Sequence, residues 1–484
     1  MAESLIKRIA AKPKAFQILP VELNQEIAHH LADDRDVVHF RASCYAAKDA
    51  IDDGKSFWLK RFHKNYDPPI AYDPSSPNYK AKIFNLYKKR SKYLAGSMVH
   101  FKIGATKKEE DTLKIVAEVI NDSFRGPTWT SRTFSTGQPQ LTCNNIEALK
   151  EFIHRSDIIE NLFRPRPRKS KRASVAEIVE PQYSHLLAAI QLMFAPSILR
   201  FKGATYGFED SQRWAYATIR AGPIFGGFNK LEVNMVWVLH VLNFFKYHIC
   251  KREENTLYEP FKRLIRAEKP DFWNSSLHNG PADLGVHWKG TYAYLGTNEI
   301  EIVRAGNPSG TPLIDHNVDH GDSSIQTMEI DFPKDPAFHW PALFEHHLHS
   351  VTEDRPPRTR AQHRTGDDAE FERINQRFQA TGYDDEDFEA AGWLNQLPSQ
   401  HGIPGWKRVT MMKYFEDGHG GWDNNALWAY EGVVLPGGKI MLGRWWSPDT
   451  NVPGRDPYTG PFIFWNADPA CDRLECDLHD INNS

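Results

Sequence analysis

The stretch from Trp428 to Trp446 constrains the fold of this protein more than any other. Trp428 to Leu435 (WAYEGVVL) and Lys439 to Trp446 (KIMLGRWW) are rich in bulky and β-branched residues, and Pro436-Gly437-Gly438 separates them. Proline presets the φ of a tight turn and glycine supplies positive φ, so the pattern predicts a β-hairpin. Further strands are expected at Ile300 to Val303, Ile325 to Phe332 (IQTMEIDF) and Pro461 to Trp465 (PFIFW), and His287 to Leu295 is rich in aromatics with a Gly interruption. Short strands with Gly and Pro turns, and few clear helices between them, argue for an antiparallel barrel or sandwich over 283–484. Within it, Ser350 to Gln400 is polar, with a basic start (RPPRTRAQHR) and an acidic patch at Asp384 to Glu389. That texture predicts a long, partly disordered insertion between strands at about 350–400.

The earlier part of the sequence has helical periodicity. Ile83, Phe84 and Tyr87 suggest one helix, and Leu113 to Ile120, Ile146 to Ile159 and Tyr183 to Phe194 suggest others. The longest, Leu231 to Cys250, is apolar on nearly all sides and is therefore expected to be central. Asn234, His240, Asn243, Lys246 and His248 interrupt its apolar run, which fits a buried helix better than a membrane span. Met1 to Lys14 has no continuous apolar core and does not read as a secretory signal. The five cysteines form no CxxC pair, as expected of reduced thiols in an intracellular protein. The net charge of -3 argues against a whole-chain polyanion binder, and neither nucleic acid nor membrane is an expected partner. Arg164 to Arg172 (RPRPRKSKR) is either a localisation or acidic-partner patch or a solvated loop. Residence is expected to be cytoplasmic, nuclear or both.

The first organised segment, 16–66, predicts three short helices. Leu19-Pro20 opens it, and Leu23, Ile27 and Leu31 follow at spacings of four on one helical face. Asp33, Asp34 and Asp36 provide a stop and N-cap candidates for a helix carrying Val37, Val38, Phe40 and Arg41 through Cys44 and Tyr45. Trp58 and Phe62 lie four apart on a third helix. So small a unit buries little surface alone and gains from a partner. Pro68, Pro69, Pro74 and Pro77 predict a linker after it. The expected class is therefore α+β, with helices at 16–66, a mainly helical region at 67–282 and the barrel or sandwich after it.

The series Leu19-Pro20-x-Glu22-Leu23-x-x-x-Ile27-x-x-x-Leu31, then Asp36, Arg41, Cys44 and Trp58, resembles an F-box. The resemblance implies a subunit that binds the Skp-type adaptor of a cullin–RING ubiquitin ligase. Carried over by position, Leu19, Pro20, Leu23, Ile27 and Leu31 would form the adaptor contact. Val37, Val38 and Trp58 would either join it or serve the internal core. Trp288-Lys289-Gly290-Thr291-Tyr292, Ile325 to Phe332 and Gly432-x-x-Leu435-Pro436-Gly437 resemble the lipocalin-like barrel of the F-box-only cyclin D receptor subfamily. That resemblance implies a barrel that selects a protein substrate, in part by reading its C-terminus.

Chemistry-bearing patterns are sparse. His316 and His320 stand four apart, and His339, His346, His347 and His349 follow, but HExxH and finger spacings are absent, so no metal or other cofactor is expected. There is no GxSxG and no GxGxxG or P-loop, which gives a catalytic role no support. In the predicted hairpin, strand alternation puts Ile440, Leu442, Arg444 and Trp446 on one face and Met441, Gly443 and Trp445 on the other. Arg444 beside aromatic rings either holds a carboxylate by a bidentate contact or sits at the barrel rim in a salt bridge. Trp428 and Tyr430 share a face and border the same expected pocket, with Glu431 pointing away unless a bulge intervenes. The expected function is a non-catalytic, substrate-recognition adaptor. The alternatives are a barrel that binds a small molecule and, behind it, a metal-dependent hydrolase with His316, His320 and His346 converging.

Overall fold

The computed structural model describes residues 15–95, 100–125, 130–133, 139–165, 183–227, 230–307, 312–320, 325–333, 340–348, 375–416, 421–424, 426–448 and 457–468. The fold is α+β: N-terminal helices, a helical middle region and a C-terminal barrel of eight antiparallel strands. Contacts divide it into two compact units, Met1–Ser97 with Glu118–Phe152, and Met98–Ala117 with Ile153–Ser484.

The first unit begins with α1 (Ala15–Ile18), α2 (Val21–His30), α3 (Asp34–Ser43), α4 (Tyr45–Asp52), α5 (Ser56–Asn65) and α6 (Tyr79–Arg90). Pro20 precedes α2, where its missing N–H leaves no helical carbonyl unpaired. The Asp33 carboxylate accepts from the Arg35 amide at 2.8 Å and starts α3. One helix is expected to run through Cys44 and Tyr45, but the backbone is extended at Cys44 and a new helix begins. The Cys44 sulfur accepts from the Ala47 amide at 3.4 Å and does the capping.

One core cluster beneath these helices is Ala28, Val37, Ile51 and Phe57, with Leu31, Phe40 and Trp58 packed against it; Phe62, Ile83 and Tyr87 are buried as well. Trp58 also meets Phe84 and Tyr87 of α6, at ring separations of 5.7 and 5.6 Å. The Asp34 carboxylate accepts from Arg61 Nε and from the Tyr87 hydroxyl, each at 2.7 Å. α6 belongs to the same unit, and the prolines expected to form a linker at 68–77 lie inside it rather than at its edge.

Two helices follow, α7 (Lys107–Asn121) and α8 (Asn144–Arg155). The second unit continues with α9 (His185–Met193), α10 (Ala195–Arg200), α11 (Phe208–Ala215), α12 (Met235–Cys250) and α13 (Tyr258–Arg263). The Asn234 side chain accepts from the Trp237 amide at 3.2 Å and caps α12. Nearly every residue of α12 is buried, because it packs on α9, α10 and α11 and also on the barrel wall. Among the described residues no helix is long and apolar enough to cross a membrane. Of the basic run at 164–172, only Arg164 and Pro165 fall among the described residues.

The barrel is a continuous meander of β1 (His287–Tyr292), β2 (Gln326–Asp331), β3 (Asn375–Tyr383), β4 (Asp387–Gln396), β5 (Lys407–Tyr414), β6 (Trp428–Val434), β7 (Ile440–Trp446) and β8 (Thr459–Asn466). Each strand pairs with the next, and β8 closes on β1 with Phe464 opposite Gly290. Closure leaves no free edge. α14 (Thr297–Arg304) follows β1, and α15 (Ala342–Leu348) follows β2.

Two expectations fail here. Ile300 to Val303 is helix rather than strand: the Gly296 amide donates to Glu299 at 2.8 Å, Ile300 and Val303 are buried three residues apart, and Ile302 faces out. The polar stretch at 350–400 is not one insertion, because 375–383 and 387–396 are the paired strands β3 and β4; residues 349–374 lie outside the described residues. The inward side of β3 carries Phe378, Ala380 and Gly382, a weakly apolar set. Rings make up the missing volume. Phe388 packs over Gly382, Phe378 over Gly392, and Phe464 over Gly290. A Cβ at Gly392 would collide with the Phe378 ring and the Thr410 carbonyl. Most of the interior is consequently filled.

Candidate functional site

One end of the barrel stays open as a cavity of about 360 Å³. Strand alternation brings Trp428 and Tyr430 of β6, Trp445 of β7, Tyr292 of β1 and Lys413 of β5 to it from inside the wall. Tyr294, Tyr458, Phe415 and the β3–β4 turn, Asp384 to Glu386, complete its lip. Trp445 is held as a floor: its indole N–H donates to the Ala293 carbonyl at 3.2 Å. Trp428, Tyr458 and Tyr292 stand around it at 5.3, 5.6 and 6.1 Å. The Tyr458 hydroxyl donates to the Leu295 carbonyl at 2.7 Å.

Lys413 lies at the base of the cavity and is buried. Its ammonium donates to Asp384 at 2.7 Å and stands 4.1 Å from the centre of the Phe388 ring. Burial pulls the Lys413 pKa below its ordinary value, and the Asp384 carboxylate opposes that shift. Burial raises the phenols of Tyr292 and Tyr430, so both are neutral at pH 7.

The hairpin residues singled out from the sequence divide between two faces. Trp428 and Tyr430 line the cavity, whereas Glu431, Arg444 and Trp446 do not. Register decides this, since Tyr430 opposes Trp445 and Glu431 opposes Arg444. Arg444 is fully buried on the outer wall, donates to the Gly222 carbonyl and lies 4.7 Å from the centre of the Trp237 ring of α12. It is neither a carboxylate clamp in the mouth nor a rim salt bridge. Glu431 is taken by Arg408 at 2.7 Å. Trp446 packs in an outer cluster with Phe344 and Leu348 of α15. Lys413, Asp384 and Trp445 are site residues that sequence reasoning missed. Alternation does place Trp445 opposite Arg444, but nothing local marks its face as the inner one.

In the first unit, Pro20 is exposed and Leu23 and Val38 are 50% and 51% exposed. Leu19 and Ile27 are half-buried. Leu31 and Trp58 pack against the core, and Val37 is fully buried, so these three serve the unit's own interior. Ile18, Val21 and Tyr45 add further exposed apolar side chains outside the Leu-Pro series.

Among the described residues, one His/Asp group is close enough to share a metal ion: His248, Asp315 and Asp319. His316, His320 and His346 form no such group. His248 Nε2 stands 3.2 Å from Asp315 and Nδ1 3.2 Å from Asp319. The Lys251 ammonium contacts Asp319 at 3.0 Å, and the Tyr216 hydroxyl donates to Asp315 at 2.7 Å. A carboxylate at each ring nitrogen favours an imidazolium carrying both protons, and the neighbouring ammonium disfavours a further cation. The group is a buried charge cluster that ties α12 to the segment after α14.

The fold and cavity define a closed antiparallel meander barrel with an aromatic, charged mouth, and the N-terminal helices of the other unit expose apolar residues. No family model, no curated protein and no solved structure matches this protein.

Proposed function

We propose that this protein is a non-catalytic substrate-recognition adaptor of a cullin–RING ubiquitin ligase. Its N-terminal helices bind a Skp-type adaptor, and the mouth of its barrel binds a protein target. The observation that carries this reading is the set of exposed apolar side chains Ile18, Val21, Leu23 and Val38 on the N-terminal helices. Burying them on a partner recovers about 25 cal/mol per Å² of apolar surface. The Leu19-Pro20-x-Glu22-Leu23 series supplies the order expected for that partner. Such a protein works by holding a target close to an enzyme bound elsewhere, which raises effective concentration. That role belongs in the cytoplasm or nucleus.

Co-purification with the Skp-type adaptor tests this, comparing wild type with a Leu23→Asp, Val38→Asp double variant. Both residues are exposed, so the variant is expected to melt like wild type and to lose a one-to-one complex. A wild-type protein that forms no complex, or a variant that forms it equally well, overturns the reading.

One observation favours a second reading of the barrel, as a small-molecule module: its mouth is ringed by aromatics, and its volume is at the low end of the ~300–1,000 Å³ of ligand clefts. Native mass spectrometry separates the two, since a resident small molecule would add a discrete mass to the purified protein.

A further inference from the structure

We infer that the barrel mouth receives an alkylammonium group, the charged end of a lysine-type side chain on a protein partner. The inference rests on the barrel mouth being the target-binding site, and not on docking of the N-terminal helices.

The rings come first. Tyr292, Trp428, Trp445 and Tyr458 border one small space, and a cation within ~6 Å of such a ring centre is attracted by its negative face. The site already holds one cation this way, with the Lys413 ammonium 4.1 Å from Phe388 and 5.4 Å from Phe415.

Charge decides the sign of the ligand. The described lining carries the carboxylates of Asp384, Asp385 and Glu386 against the single ammonium of Lys413. Asp384 and Lys413 satisfy each other at 2.7 Å, which leaves Asp385 and Glu386, exposed on the β3–β4 turn, to face whatever enters. An anion would have to pass both carboxylates and then displace Asp384 from a buried lysine. A cation meets attraction throughout the approach.

Size restricts the occupant. About 360 Å³ admits the end of a side chain but not a folded segment. Ring faces offer no good acceptor for an ammonium N–H, so a methylated ammonium, which needs fewer acceptors, fits better than an unmodified one.

The test uses the full-length protein and three acetylated pentapeptides, each read by ligand-observed NMR. Two are amidated and carry trimethyllysine, or its neutral carbon isostere with a tert-butyl end, between pairs of glycines. The third is a pentaglycine with a free C-terminal carboxylate. The trimethyllysine peptide is expected to saturate the site, and the neutral isostere to bind about tenfold more weakly. Asp385→Asn with Glu386→Gln is expected to weaken the cation about fivefold without changing the melting temperature, since both residues are exposed. Trp428→Ala is expected to remove the signal. An isostere that binds as well as the cation overturns the inference. So does a preference for the carboxylate peptide, although the mouth would then stand as a target site of opposite polarity. Absence of binding by all three overturns both the inference and the mouth as a target site.

Discussion

Replacing His248 with Gln removes the positive charge from the buried group that joins α12 to Asp315 and Asp319. Burial by itself would lower the His248 pKa, but the Asp315 and Asp319 carboxylates, one 3.2 Å from each ring nitrogen, outweigh burial and hold it above its ordinary value of 6.5. The folded protein therefore binds this proton more tightly than the unfolded state does. Its stabilisation is complete below pH 6.5 and is lost as pH rises through the raised folded value. Asp315, pushed up by burial despite its partners, works in the same direction. Asp319 is opposite: burial alone would raise it, but its bonds to His248 and Lys251 hold it well below the carboxylate range, so its contribution disappears only in strong acid. Removing one partner of a buried ion pair costs about 3–5 kcal/mol. Tyr216 and Gln212 remain on Asp315, and Lys251 on Asp319, so the lower end applies. At ~1–2 °C per kcal/mol for a unit that spans Met98–Ala117 and Ile153–Ser484, the melting temperature should fall on the order of 5 °C. Calorimetric melts between about pH 5.5 and 8.5 test this, with wild type losing stability towards the alkaline end and H248Q losing less. A variant within about 2 °C of wild type near pH 6, or one that keeps the wild-type pH slope, would refute a charged His248 as the source of this stability.

Three other substitutions and treatments follow from the same packing. Arg408→Met alone leaves Glu431 buried without its 2.7 Å partner and should cost about 3 kcal/mol in urea unfolding, whereas Arg408→Met with Glu431→Leu should return to within about 1 kcal/mol of wild type; equal losses would contradict this. Gly392→Ala forces a methyl into the Phe378 ring and the Thr410 carbonyl, and should destabilise the second unit by about 3 kcal/mol, read as a lower melting temperature; an unchanged melt would mean the seam can relax. Burial, with Asp67 2.8 Å away, pushes the Cys143 thiol up to about 12, so iodoacetamide at pH 8 should spare it in the native protein and modify it after unfolding, as followed by mass spectrometry.

Much of the architecture is local in origin and is legible in residue order alone. Pro436-Gly437-Gly438 between two β-rich runs specifies a hairpin through turn chemistry. The run at 235–250, apolar on nearly all sides, specifies a central helix, because such a segment has little face to offer water. β3 and β4 escaped notice because Gly382 and Gly392 stand where apolar side chains would mark a strand, and rings from neighbouring strands fill their places. The core at the first unit's α3 illustrates the same limit: Val37 and Val38 are adjacent and alike, yet one is fully buried and the other half exposed.

The candidate site was legible only in part. Alternation correctly separates Trp445 from Arg444 on β7, yet every residue of that strand is buried. A strand covered on both sides has no polar face to reveal which side is interior. The choice is made by register, which sets Trp445 against Tyr430, and by α12, which lies on the outer wall and encloses Arg444. Asp384 and Lys413 meet because successive strands bring a turn and a strand end to the same mouth. Turns, helix periods and caps depend on near neighbours along the backbone, so residue order sufficed for the hairpin, the central helix and the succession of helical and β regions. Which face of each strand became the inside of the barrel, and hence which side chains form the mouth, depends on barrel closure and helix packing between distant segments, and those are set only when the whole molecule folds.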